Sequence, residues 1–447
     1  MERTGNQPGN VPIPPFVRFV LERLHQRGFE ALVVGGAIRD ACMGREVQDW
    51  DVATNANAGT IRSLFSDVRS FQLKHETVSL VHQGATYEIT PFHGEKDTPG
   101  SLQEDLAHRD FTINAMAWDA DRGDIVDPWE GMHDLKARRV RAVGRPEDRF
   151  LEDPLRLLRT VRFAAVLGFE VEEITLRAVR SMAGRILLAA PERIRNELLH
   201  LLLSRKPSRG FRLLRQTGLM TVLLPELAEG HRRHQNEHHR YTILRHVLET
   251  VDRVEATPLL RWAALLHDVA KPRVRKKVDG RWRFIGHAEE SAKLAEQILT
   301  RLCVEKTLIA RVVHLIRHHM IGYSPEWSDR AVRRWVRRVG PDPVFALLAL
   351  RRADILAHGN PCLQGRLLDQ LENRVRGLLS KPMVNRRADL AVDGRKIMEK
   401  TGLDPGPEVG RILEQLMERV VDDPGLNTEE TLLEMAGTIR ESLPRAT

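Results

Sequence analysis

Apolar residues recur along this chain of 447 residues with two different periods, and the change from one to the other divides it. Between Ala31 and about Ala142, short β-rich runs alternate with helical ones. Ala31–Val34, Trp50–Ala53, Val68–Leu73, Val78–His82 and Ala85–Thr90 have strand length and turn residues at their borders. An amphipathic stretch from Phe16 to Arg27 predicts a helix ahead of them. Beyond about Arg145 apolar positions return at helical spacing, as in Leu155–Leu167, Arg193–Leu203, Gly210–Leu214, Tyr241–Val254, Leu259–Val269 and His287–Leu302. A turn-rich patch, Pro272–Phe284, predicts a short hairpin within this helical part. The fold class is α+β, a small sheet head followed by a mostly helical remainder.

Composition narrows this picture modestly. Hydrophobic residues make up 42% and charged residues 29%, as expected of a globular chain with a real core. The net charge of +8 favours an anionic partner such as RNA, without excluding an ordinary basic surface. Cys42, Cys303 and Cys362 are scattered and form no CxxC, which argues against a disulfide framework or a cysteine zinc site. No apolar run approaches membrane-spanning length, and a cytoplasmic protein without a membrane or an obligate protein partner is expected.

The candidate chemistry begins at Asp49-Trp50-Asp51, just downstream of the glycine turn Gly35-Gly36. Residues two apart on a strand share a face, so Asp49 and Asp51 lie side by side while Trp50 and Val52 enter the core. Paired carboxylates repel unless cations stand between them, and hard oxygen ligands suit Mg²⁺. A glycine turn feeding a helix offers backbone N–H groups to phosphate oxygens. Together these features suggest metal-assisted transfer of a nucleotidyl group. Glu88, on the polar face of its strand, would complete a three-carboxylate site for two ions, or is equally a solvated strand residue. Arg109 suits a phosphate clamp, and Asp110 and Asn114 suit a ribose hydroxyl; taken singly, Asp110 also fits a helix cap and Asn114 a polar core position. Asp153, Arg156 and Arg159 recur three apart beside an apolar stripe. A carboxylate and a guanidinium there can read a base edge. On spacing alone, an N-cap at Asp153 with Pro154 at the first helical position is preferred.

Five motifs stand in one order: the Gly-Gly turn with Arg39-Asp40, the Asp49/Asp51 pair, Arg109 to Ala115, Asp127-Pro128 through Asp134-Leu135, and Glu152 to Arg156. In this the chain resembles the class II tRNA nucleotidyltransferases and bacterial poly(A) polymerases, of the polymerase-beta superfamily, from about Ala31 to Leu203. The resemblance implies Mg²⁺ ions on Asp49 and Asp51, a triphosphate held by Gly35, Gly36, Arg39 and Arg109, and a sugar bordered by Arg109, Asp110 and Asn114. It also implies Asp153 and Arg156 as a template for the incoming base, supported by Arg159. The tRNA 3′-hydroxyl would attack the α-phosphate of CTP or ATP. Where relatives that complete CCA carry a longer flexible loop, Pro91–Ser101 here is abbreviated. That resembles CC-adding members, so CC addition is favoured over full CCA addition; a loop variant with no effect on specificity is the alternative. Poly(A) addition fits the loop and the C-terminal part less well.

Histidines gather in the middle of the chain: His246, His267-Asp268, His287 and His318-His319, with Asp354 following. Imidazoles with carboxylates suit transition metals better than Mg²⁺. The series resembles an HD-type phosphohydrolase domain from about Tyr241 to His358, with His246, His267, Asp268 and Asp354 in its defining positions. His287 and either His318 or His319 enlarge the site to two metals. A degenerate domain that merely supports the tRNA is the alternative, as is a hydrolase whose transferase head is vestigial. The expected division is a disordered 1–15, a transferase head 16–145, a helical neck and body 146–230 with the base-recognition helix, an HD domain 231–360 and a helical tRNA-binding tail 361–447. Arginines at 138, 139, 141 and 145, at 333, 334, 337 and 338, and at 386 and 387 are candidates to track phosphates, as is the approach His231–Arg240. Gly402–Gly410 could present a helix start to the tRNA elbow.

Overall fold

The computed structural model describes residues 13–72, 76–94, 100–235, 241–358, 362–380 and 387–442. The chain divides into two compact units, Met1–Pro225 and Glu226–Thr447. The first carries a seven-stranded sheet: β1 (Ala31–Val34), β2 (Asp51–Thr54), β3 (Arg69–Gln72), β4 (Val78–His82), β5 (Ala85–Pro91), β6 (Ala117–Asp119) and β7 (Asp124–Val126). Their order is β3-β4-β5-β2-β1-β6-β7, with β2 and β5 parallel and the other pairs antiparallel.

β1 is buried on both faces, which explains its unbroken apolar run. Ala31 and Val33 join Val52 and the Pro15–His25 helix in one core, while Leu32, Val34 and Ala53 face a second with Phe92 and Leu106. All five expected strands are present. β6 and β7, of three residues each, were not anticipated, because so short a run carries no readable period.

Behind the sheet stand the helices Pro146–Glu152, Leu155–Leu167, Glu173–Met182, Pro191–Leu202 and Pro207–Gln216. Asp134, fully buried, accepts from Thr112 Oγ1 (2.7 Å) and Arg141 Nε (2.6 Å), and so ties the Arg109–Ala115 segment to its neighbours. Arg141 is thereby occupied internally.

Among the described residues, the strands of the second unit are those of the expected hairpin, Lys276–Val278 with Arg281–Arg283, and its other named elements are helices. Its Asp329–Val339 helix corrects one expectation. Arg333 donates to the carbonyls of Val421 (2.7 Å) and Asp422 (2.6 Å), Arg334 to the Asp422 carboxylate (2.8 Å) and Arg337 to Glu414 (2.7 Å). These guanidiniums satisfy the open C-terminal carbonyls and acids of the Pro407–Asp422 helix, so this cluster mainly fastens two helices rather than facing phosphates. Gly402 ends the Gly394–Thr401 helix at φ 67°, and Pro407 opens the next, as the Gly/Pro-rich segment implied. A basic stretch read from the sequence as a link, Lys381–Arg387, lies outside the described residues except for Arg387, as does the second half of the His231–Arg240 approach. Among the described residues no helix is long and apolar enough to cross a membrane.

Candidate active site and candidate metal centre

At the end of β1 the backbone turns at Gly35 with φ 75° and ψ −133°, conformations that side chains resist. A Cβ there would stand 2.6 Å from Arg109 Nη1, so the missing side chain is what admits the guanidinium against the turn. Gly35→Ala is expected to cost roughly 1–3 kcal/mol in denaturant unfolding, from backbone strain together with the displaced arginine. An unchanged unfolding midpoint would refute that reading of the turn.

Downstream, Trp50 and Val52 are buried, at 7% and 2% exposure, and alternation leaves Asp49 and Asp51 on the other side. The parallel register of β2 and β5 sets Asp51 beside Glu88. Burial, then Glu88 and Asp49, push the Asp51 pKa up to about 6 against the pull of Arg109. Glu88 is raised too, by burial and by Asp49. The acids therefore share a field in which negative charge outweighs Arg109, as a divalent cation site requires. Asp49 and Asp51 line a cleft of about 970 Å³, whereas Glu88 stands outside its lining. The three do not form one tight trio of ligand atoms: among the described residues, such trios occur only in the second unit.

The rest of the cleft is a chain of guanidinium–carboxylate pairs. Arg39 forks onto Asp40 (3.0 and 2.7 Å) and reaches Asn114 Oδ1 (2.6 Å). Asp105 steadies Arg109 through Nε (3.1 Å) and Nη2 (2.9 Å). Asp110 accepts from Asn114 Nδ2 (2.9 Å) and Arg159 Nε (2.7 Å). Burial alone would raise its pKa, but the Arg159 charge and these bonds hold it below the usual carboxylate range.

Arg156 donates to the carbonyl of His108 (2.6 Å), to Glu152 (2.8 Å) and to the carbonyl of Arg149 (3.3 Å). Asp153 accepts from the backbone N–H of Leu155 (3.1 Å) and lines the cleft, but the N-cap of the Leu155–Leu167 helix is Pro154, one residue later than expected. Arg159 lines the cleft with them, its guanidinium bonded to Asp110 and reaching Glu197 (3.5 Å).

Sequence reasoning missed Arg193, whose guanidinium forks onto Asp153 (3.1 and 2.8 Å) from the Pro191–Leu202 helix. It also missed Arg162, paired with Glu197, and the cleft-lining Arg45, Glu46 and Gln48. The Glu192-Arg193 pair at a helix start was the available signal, but nothing local linked it to Asp153.

In the second unit, all six expected ligands come together. His246, His267 and Asp354 form one group of ligand atoms within 4.8 Å of one another, and Asp268, His287 and His319 form another. Asp268 joins the two groups: its Oδ2 lies 3.2 Å from His267 Nε2 and 3.4 Å from His246 Nε2, its Oδ1 3.4 Å from His287 Nε2. Backbone carbonyls orient three of the rings. The Nδ1–H groups of His267, His287 and His319 donate to Ala264 (2.9 Å), Phe284 (2.8 Å) and Ile316 (2.6 Å), turning each Nε2 inward. The choice between His318 and His319 is thereby resolved: His319 is buried, while His318 packs against His314.

Burial opposes charge on His267, yet Asp268 and Asp354 outweigh it and push its pKa up to about 10. Burial and the positive His267 push His319 the other way, to about 3. A pocket that forces a proton onto one buried imidazole and off another is short of cationic charge. The donor set fits one or two transition-metal ions.

A mixed sheet with acids at a glycine turn, joined to helices that carry a buried His/Asp centre, defines a nucleotidyltransferase head fused to an HD domain. Comparison with known proteins agrees. Residues 31–141 match the poly A polymerase head domain, 168–230 the probable RNA and SrmB-binding site of polymerase A, and 236–358 the HD domain. The A-adding tRNA nucleotidyltransferase of Deinococcus radiodurans is 35% identical over 427 residues, covering 91% of this chain and 92% of that one. The CC-adding tRNA nucleotidyltransferase of Thermus thermophilus is 35% identical over 409 residues, covering 87% and 89%. A solved CCA-adding enzyme of Bacillus stearothermophilus in complex with CTP superposes with a TM-score of 0.72 at 26% identity, covering 96% of this chain and all of that one. The chain belongs to the class II tRNA nucleotidyltransferase and poly(A) polymerase family, in its branch with a fused HD domain.

Proposed function

We propose that this enzyme adds two CMP residues from CTP to a tRNA 3′ end and stops there. Relatives of equal identity are named for adding A and for adding CC, so overall similarity does not choose between them. The observation that carries the choice is the segment after β5. Phe92 is buried and its N–H donates to Thr54, and Ser101 opens the next helix with a capping box. The two described flanks of the segment stand close together: a Cβ on Gly100 would lie 1.8 Å from the carbonyl oxygen of His93. So short a segment, Pro91–Ser101, anchored at both ends, lacks the reach to reshape the base pocket for a purine.

Hydrogen-bond arithmetic in the cleft supports the same choice. Asp153 Oδ1 takes Leu155 N–H and one Arg193 donor and Oδ2 takes the other, which leaves an acceptor for one amine hydrogen. Arg156 keeps its Nε–H and one Nη2–H once its three bonds are made. One acceptor beside two donors complements the amine, ring nitrogen and carbonyl of cytosine, whereas adenine offers the donors a single acceptor. In this reading Gly35, Gly36, Arg39 and Arg109 hold the triphosphate, and Asp110 and Asn114 border the ribose. The tRNA 3′-hydroxyl attacks the α-phosphate in line and pyrophosphate leaves. Asp49 and Asp51, with Glu88 beside them, would hold Mg²⁺, which when bound acidifies the attacking hydroxyl and neutralises the triphosphate. The division into head 16–145, neck and body 146–230, HD domain 231–360 and tail 361–447 belongs to the same proposal, with a cytoplasmic location.

Mapping the product 3′ end on one defined tRNA transcript lacking CCA, with CTP and ATP both present, tests this. Two cytidines are expected. A terminal adenosine would overturn CC-only addition in favour of full CCA addition.

A second reading rests on the doubled ligand set of the second unit. Six inward-facing ligands joined by one aspartate are more than a scaffold needs, and they support phosphoester hydrolysis at the HD centre alongside transfer. Metal bound there would supply an activated water.

A further inference from the structure

The hairpin at Lys276–Arg283 takes no part in either site. Its strands pair Lys276 with Arg283, Lys277 with Trp282 and Val278 with Arg281. The connecting Asp279-Gly280 turn has both φ values positive, 49° and 78°, the backbone a two-residue hairpin demands. Cross-strand partners share a face, so Lys276, Arg281 and Arg283 stand together on one side. Lys277 stands on the other with Trp282, over whose ring the Arg275 guanidinium lies at 3.6 Å. Lys276, Lys277, Arg281 and Arg283 are all exposed.

This arrangement costs stability by itself. Like charges directly opposite one another weaken a ladder, and Lys276 faces Arg283. Glu229 is committed to Arg273 (2.7 Å), and among the described residues no ion pair forms with Lys276, Lys277 or Arg283. Arg233 comes near enough that its charge, after burial, lowers the pKa of Arg275. The positive field therefore extends beyond the strands.

We propose that this hairpin is an RNA-binding arm whose cationic face grips the phosphate backbone of tRNA. A two-stranded ribbon spaces alternate same-face residues roughly 7 Å apart, the scale on which phosphates follow one another along a strand. Phosphates also relieve the cross-strand repulsion that the isolated protein must tolerate. The inference rests on reading the chain as acting on tRNA.

Two variants test it in the full-length protein: Arg283→Glu, and the quadruple change K276Q/K277Q/R281Q/R283Q. Affinity for tRNA is measured across a salt series, with melting temperature and CMP incorporation alongside. The quadruple variant is expected to bind tRNA roughly tenfold or more weakly at low salt, with the slope of log affinity against log salt smaller by about 2–3. Arg283→Glu places an acid opposite Lys276, so its melting temperature holds or rises while tRNA affinity falls. A merely structural hairpin would move both together. Unchanged affinity and slope would overturn the proposal, as would variants that lose binding to an acidic polypeptide or anionic vesicles while keeping that for tRNA. A wild type that incorporates no CMP into tRNA would instead defeat the function proposed above.

Discussion

Asp51→Asn is expected to cut CMP incorporation by roughly 10³-fold or more while the protein remains folded. A divalent ion's neutralisation of transition-state charge contributes several kcal/mol, and about 1.4 kcal/mol is a factor of ten in rate. The loss belongs in the chemical step, so single-turnover rates should fall at saturating CTP. The same substitution should change stability in the opposite direction. With its pKa raised to about 6 in the fold, from 3.8 unfolded, Asp51 binds its proton more tightly in the native state. Its contribution is fully present below about pH 4 and is lost as pH rises through 6. In metal-free solution the asparagine variant should therefore be the more stable protein above pH 6, with a flatter pH profile between 4 and 6. Melting curves at pH 5 and pH 7.5 check this. A variant that loses stability at pH 7.5 would mean that Asp51 makes structural bonds rather than waiting for a cation.

The second large effect is expected at Asp268, the carboxylate shared by both groups of ligands in the HD centre. Asp268→Asn should abolish tight metal retention, read as metal content per chain after dialysis, and any phosphoester hydrolysis with it. Lys271 Nζ, 2.6 Å from the carboxylate and nearly buried, would lose its counter-charge. Removing one partner of a buried pair costs roughly 3–5 kcal/mol, so the metal-free variant should also melt earlier. CMP incorporation at a temperature where both proteins are folded should not change. Metal content equal to wild type would show that the six residues are a packed polar core and not a metal centre.

Legibility in the sequence followed distance along the chain. The Asp49/Asp51 pair, the glycine turn and the buried Trp50 and Val52 could be read because strand alternation acts over a few residues. The helix stripes from Leu155 onward were readable for the same reason, and the HD ligands came from motif order. What stayed hidden was contact between remote segments. Arg193 and Asp153 meet through two helix ends whose approach no local pattern encodes. The arginines of Asp329–Val339 have the spacing of a solvated face, yet their partners arrive some eighty residues later. His318 and His319 are indistinguishable as letters. One helical step turns the first toward His314 and the second into the candidate metal centre.

Nucleotidyl transfer depends most on the acids beside the glycine turn. Its most direct test is incorporation of labelled CTP into a defined tRNA transcript lacking its 3′ end, comparing wild type with Asp49→Ala in Mg²⁺-containing buffer. The wild type should extend the transcript by two nucleotides, while the variant, still folded and still binding tRNA, should extend it by none. Incorporation by the variant at a rate near that of wild type would contradict the assignment of the transferase site.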